Sequence, residues 1–104
     1  MLKIDNLSNE VDWTQNGAIK YKVKGNIVTI AVNNAYQAIS LTANTFIDLG
    51  QIPIQYAPSI ELDTKLSMKG VHVHGLLRVY TDGMVRAYAQ NNCNLFAGTI
   101  TYIC

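Results

Sequence analysis

His72-Val73-His74 is the sharpest chemical signature in the chain. Residues two apart on a strand share a face and stand about 7 Å apart, so both imidazoles point the same way. Two nitrogens do not by themselves close a metal site. Packing or hydrogen bonding within an interface is the simpler use, and histidine's titration near pH 6.5 would make such an interface acid-sensitive. The carboxylates Asp5, Glu10, Asp12, Asp48, Glu61, Asp63 and Asp82 show no pairing of the kind a glycosidase needs. Glu61 and Asp63 share the wet face of a strand, and Asp82 is explained by its Asp-Gly turn. There is no Gly-x-Ser-x-Gly elbow and no glycine-rich phosphate loop before a helix. No residue is assigned a catalytic role, no cofactor is expected, and the chain reads as a binding or structural domain.

Positioning such residues falls to strands. The sequence holds 104 residues, the size of one domain. Only 14% are charged while 49% are hydrophobic, which supplies a core and excludes disorder. A formal charge of +1 is too small for a general nucleic-acid binder or a polybasic membrane segment. No apolar run approaches the roughly 20 residues of a spanning helix, and Met1–Asp5 lacks the apolar stretch of a secretory signal. Neither nucleic acid nor membrane insertion is therefore expected. Cys93 and Cys104 flank the last apolar run. On one strand they would lie about 30 Å apart, too far for a disulfide, so both read as thiols of a chain folded in a reducing cytosol.

Ile19–Lys24 alternates apolar and charged residues, giving one buried face and one lysine-lined face. After Gly25-Asn26, Ile27–Val32 is apolar on both sides, as a strand covered on both faces would be. Shorter strands are expected at 39–42 and 45–49, and Pro53 and Pro58 bracket a crossing loop where no continuous ladder can run. From Ile60 to Lys69 the period of two is the clearest in the chain. Strands follow at 71–80, 84–89 and 95–103. Seven or eight short strands and no capped helix argue an all-β, jelly-roll-like antiparallel sandwich. Residues 1–16 are polar and read as a lead-in from an upstream stalk or shoulder, with Trp13 anchoring it, and residues 17–104 as the sandwich itself.

The hairpin at Thr81-Asp82-Gly83 decides the faces. A three-residue turn with left-handed Gly83 pairs Arg78 with Arg86 and Leu76 with Tyr88. That register sends Val71, Val73, Gly75, Leu77, Val79, Val85, Ala87 and Ala89 inward. His72, His74, Leu76, Arg78, Tyr80, Met84, Arg86 and Tyr88 then point outward. The outer set is a patch too apolar to leave in water, and it carries a directly opposed arginine pair. A folded-over loop, a second subunit or a ligand would each cover it.

Several segments resemble phage tail-fibre and baseplate receptor-binding head domains. Ile52-Pro53-Ile54-Gln55-Tyr56-Ala57-Pro58 is similar to their apolar-Pro-x-x-aromatic-Arg-Pro segment, with Ala57 replacing the arginine. Asn16 to Ile30 is similar to their opening hairpin, Val79–Val85 to their Asp-Gly hairpin, and Gly98–Ile103 to their closing strand. The resemblance covers about residues 16–103. It implies a homotrimeric head at the tail tip of a virion, made in the bacterial cytoplasm. Its partners would be upstream tail or baseplate proteins and a host cell-wall or surface polysaccharide. It also makes the outer hairpin face, with His72, His74, Leu76, Arg78, Tyr80 and Met84, the trimer interface. Metal is not expected, although three copies of the histidine pair on a threefold axis would supply six nitrogens.

A saccharide site needs aromatic faces for the apolar side of a sugar ring and amides for its hydroxyls. Loops carried by a rigid sandwich are where such groups gather. The segments 33–37 and 90–94 lead, followed by the adjoining strand, which gives Tyr36, Gln37, Arg86, Tyr88, Asn91 and Asn92 as the ligand-binding set. A phosphate-bearing receptor would be met by Arg78 and Arg86.

Overall fold

The structure, a computed structural model, describes residues 10–68 and 74–104. It is all-β. Eight strands run in chain order as β1 (Val11–Asn16), β2 (Ile19–Lys24), β3 (Ile27–Asn33), β4 (Thr45–Gln51), β5 (Leu62–Met68), β6 (His74–Val79), β7 (Met84–Ala89) and β8 (Phe96–Ile103). A 3-10 turn, Ile54–Tyr56, lies between β4 and β5. Among the described residues no helix is long and apolar enough to cross a membrane.

All pairings between strands are antiparallel, in the order β1-β2-β3-β8-β5-β6-β7-β4. The β5-β6-β7 meander with β4 returning beside β7 is a Greek-key arrangement. Among the described residues the two halves meet where β5 and β8 pair through Ser67–Ala97 and Met68–Phe96. At that narrow seam the sheet curls, so its concave side encloses the core. The far ends are tied together as well. The Ala18 amide donates to the Leu49 carbonyl at 2.8 Å, and the Gln51 amide to Asn16 Oδ1 at 3.1 Å.

The period of two accounts for which side chains line the core. Ile19, Tyr21 and Val23 of β2, and Val28, Ile30 and Val32 of β3, are buried on one half. Leu66, Leu77, Val79, Val85, Ala87 and Ala89 meet them from the other. The β6–β7 register follows the three-residue turn, with Leu76–Tyr88, Leu77–Ala87, Arg78–Arg86 and Val79–Val85 opposed. Gly83 has φ of 91° and its amide bonds the Tyr80 carbonyl at 3.0 Å. Asp82 Oδ1 accepts from the Met84 amide at 3.0 Å, the local bond that favours Asp before Gly in a turn.

Three expectations need correction. β3 is covered on one face only: Ile27 is 48% exposed and Thr29 and Ala31 keep surface. Its β-branched outer residues suit a pleated surface and pair across the sheet, as Thr29 does with Thr101. Residues 39–42 form no strand; Leu41 makes an isolated bridge to Cys93, because the segment runs past a loop with no partner strand beside it. The sheet also begins earlier than the expected lead-in allows, since Val11–Asn16 pairs with β2 as an edge strand. Only Val11 of it is partly buried and the rest is exposed, so it carries no apolar pattern to read. Both cysteines are free, Cys93 partly buried and Cys104 exposed.

The crossing loop is fixed by one phenol. Tyr102 Oη donates to the Tyr56 carbonyl at 2.7 Å, and burial pushes its pKa up, so it remains a donor. Tyr102→Phe should lower the free energy of unfolding in urea by about 1 kcal/mol, the net worth of one such bond. Gly83→Ala should cost more, about 2 kcal/mol, because the left-handed backbone is disfavoured and the new methyl meets the Ile52 carbonyl oxygen. A Gly83→Ala protein as stable as the parent would contradict the turn.

Candidate functional site

Bringing β4 beside β7 changes what the outer hairpin face is. One row crosses four strands as Asp63–Arg78–Arg86–Asp48, and the next as Lys65–Leu76–Tyr88–Phe46. The opposed arginines are each neutralised from the outside. Arg78 grips Asp63 with two parallel bonds, Nε to Oδ1 at 2.7 Å and Nη2 to Oδ2 at 3.1 Å, and lies 3.2 Å from Glu61. Arg86 Nε donates to Asp48 Oδ1. Each guanidinium also lies on a ring: Arg78 is 4.8 Å from the Phe46 centroid and Arg86 4.7 Å from that of Tyr80. Phe46 and Tyr88 pack at 5.0 Å. The face therefore supplies part of its own cover, with carboxylates balancing charge and cations stacking on aromatic faces.

No member of the face whose burial is described is fully buried. Leu76, Arg78, Tyr80, Met84, Arg86 and Tyr88 are partly exposed, and Phe46 is exposed. Of the residues expected in a trimer interface, Leu76, Arg78, Tyr80 and Met84 share this surface. His74 opens β6 opposite Ser67, and His72 lies outside the described residues.

The ligand-binding set divides into two groups. Arg86 and Tyr88 stand on the face just described, and Asn92 is linked to it through the Ala43-Asn44 corner. Tyr88 Oη donates to Asn44 Oδ1 at 3.1 Å, while the Ala43 amide donates to Asn92 Oδ1 at 2.8 Å. Asn91 is exposed beside it. Asn92 thus has a structural task, and with Ser40, Thr42 and Asn94 it lines an open groove. Tyr36 and Gln37 sit elsewhere, by the β1–β2 turn. Gln37 packs near Gly17, and the Tyr36 carbonyl accepts from Gln15 Nε2 at 2.8 Å. The ring of Tyr36 lies under Lys20, with Nζ 4.5 Å from its centroid, on the outer side of the other half-sheet.

Asn44, Phe46 and Asp48 belong to the site and were not among the expected residues. Only Asn44 had a signal in the sequence: Asn is the side chain that best tolerates the left-handed backbone, here φ of 58°, between two extended segments.

Asp63 titrates below the ordinary carboxylate value, first because Arg78 hydrogen-bonds its ionised form, with the guanidinium charge adding and partial desolvation opposing. Its folded pKa is depressed, so its stabilisation is complete above the unfolded value near 3.9 and disappears as pH falls through the folded one. Asp63→Asn should lower Tm near neutral pH by less than about 4 °C, as expected for an exposed pair. The gap should close in strong acid, and calorimetry across the acid range checks it; a gap that persists there would mean packing, not charge.

No protein-family model matches the chain, and no curated protein matches it by sequence.

Proposed function

We propose that this chain is the head domain of a phage tail tip, a jelly-roll sandwich that assembles as a homotrimer and binds a saccharide on the host bacterial surface. Its N-terminal segment connects it to upstream tail or baseplate proteins. The observation that carries the reading is the aromatic and arginine-rich face of β5-β6-β7-β4. Tyr, Phe, Met and Arg are the residue types that concentrate at protein interfaces. Here Leu76, Tyr80, Met84 and Tyr88 stand together with surface still exposed. The motifs of the crossing loop and the Asp-Gly hairpin support the same reading by resemblance. Three weak sites on one head, repeated over a virion, give avidity without any deep pocket.

A second reading, a trimerisation domain that binds no glycan, is favoured by one observation. Both arginines on the face are already engaged by Asp63, Glu61 and Asp48. They are not waiting for an anionic receptor, so this face serves assembly better than recognition.

Sedimentation velocity at micromolar protein should give a trimer. Replacing Leu76 and Met84 together by Glu should yield monomer with an unchanged far-ultraviolet spectrum. A wild-type chain that stays monomeric at high concentration overturns both readings. Fluorescent trimer that binds host cells supports the receptor-binding head; an intact trimer that binds none supports the structural domain.

A further inference from the structure

The arginines of one half of the sheet and the lysines on β2 of the other are held differently. The arginines of β6 and β7 are ion-paired, whereas Lys20, Lys22 and Lys24 on the outer side of β2 have no carboxylate within ion-pair distance among the described residues. Two of these lysines lie on aromatic rings: Lys20 on Tyr36, and Lys22 on Trp13 with Nζ 5.2 Å from the centroid. Trp13, Lys20, Ala31 and Tyr36 together line a cleft of 240 Å³.

The cleft is built by specific local devices. Val11 pairs with Val23 and Thr14 with Tyr21, so β1 spends one residue more than β2 over the same span. This bulge sets Asp12 and Trp13 against Lys22, and bulges commonly re-aim a side chain beside a functional site. Asp12 Oδ1 accepts from the Trp13 amide at 2.8 Å, satisfying a donor that the bulge takes out of the ladder. Trp13 is thereby held outward, 46% exposed. On the other side Asn33 shapes the turn, its Oδ1 accepting from the Ala35 amide at 2.9 Å, and Gln15 holds the Tyr36 carbonyl. Gln15, Lys20 and Ala31 are register partners across β1-β2-β3, so the floor is paired sheet.

We infer that this cleft is a subsite for an anionic sugar residue, which would displace the two ammoniums from the rings of Trp13 and Tyr36, stack there, and pair its acidic group with Lys20 in the cleft and Lys22 beside it. Aromatic walls suit the apolar face of a pyranose. The unpaired ammoniums favour a ring carrying a carboxylate or a phosphate over a neutral one. The inference rests on the receptor-binding reading, and it moves recognition from the arginine face to the lysine face.

Trp13 is the chain's one tryptophan, so its fluorescence reports on the cleft directly. The full chain is titrated with tetragalacturonate, with glucose 6-phosphate and with neutral maltotetraose. Saturable change with either acidic probe, about tenfold weaker with the neutral one, is the expected result, and which acid binds better tells carboxylate from phosphate. Lys20→Met, which keeps the stem and removes one of the two charges, should reduce the acidic preference, and Tyr36→Ala should weaken every probe. No saturable change with either acid, or an unaltered preference in folded Lys20→Met, overturns the cleft. Host-cell binding undiminished in a trimeric Tyr36→Ala protein also overturns it, while the head reading stands. Acid binding in the cleft by a trimer that ignores host cells keeps the cleft and overturns the host-receptor reading.

Discussion

Register in the β6–β7 hairpin is the constraint on which the rest of the molecule depends. With side chains alternating at a period of two, a slip of one residue would exchange Leu77, Val79, Val85 and Ala87 for Leu76, Arg78, Met84 and Arg86 in the core. Burying two guanidiniums there without partners is prohibitive. The left-handed backbone at Gly83 fixes the choice, and the same glycine is tied to the next layer of structure. Its carbonyl accepts from the Ile52 amide at 2.9 Å, so the turn also locates the end of β4 and the crossing loop. One short turn thus sets the inner face, the outer face and the neighbour beside them.

Much of the strand content was legible because it is local. The alternation in Ile19–Lys24 and Leu62–Met68, and the Asp-Gly turn, are short-range signals that the folded chain obeys. Less legible were features that depend on which strand lies beside which. Nothing in Phe46-Ile47-Asp48 announces that it will stand next to Tyr88, Ala87 and Arg86. Without that neighbour the opposed arginines look repulsive; with it each has a carboxylate and a ring. The apolar outer side of β3 misled for a related reason, since Ile27 and Ile103 pair with each other in the open. Edge strand β1 escaped because its residues are exposed on both sides apart from Val11, which leaves no alternation to read.

The two outer faces embody different solutions to carrying positive charge. On the arginine side, planar forks match carboxylates and rings, and among the described residues only Lys65 is left there without an ion pair. On the lysine side, compact ammoniums rest on Trp13 and Tyr36 with no counter-charge nearby among the described residues. A small overall charge conceals this polarity: the sum near neutrality describes neither surface. Of the residues expected to bind ligand, those on the arginine side are committed to internal contacts, while Tyr36 lies where charge remains available.

The position of β8 in the chain has a consequence for how the molecule comes to be. It follows the other seven strands yet sits in the middle of the sheet, bonded to β3 on one side and β5 on the other. On a ribosome, the first three strands emerge long before the strand that completes them, and must wait with an unpaired edge. Contacts so distant in sequence make for folding in milliseconds to seconds, not microseconds. During that interval the edge of β3 stays open, a row of unpaired backbone groups on which any other strand can settle before the chain's own β8 arrives.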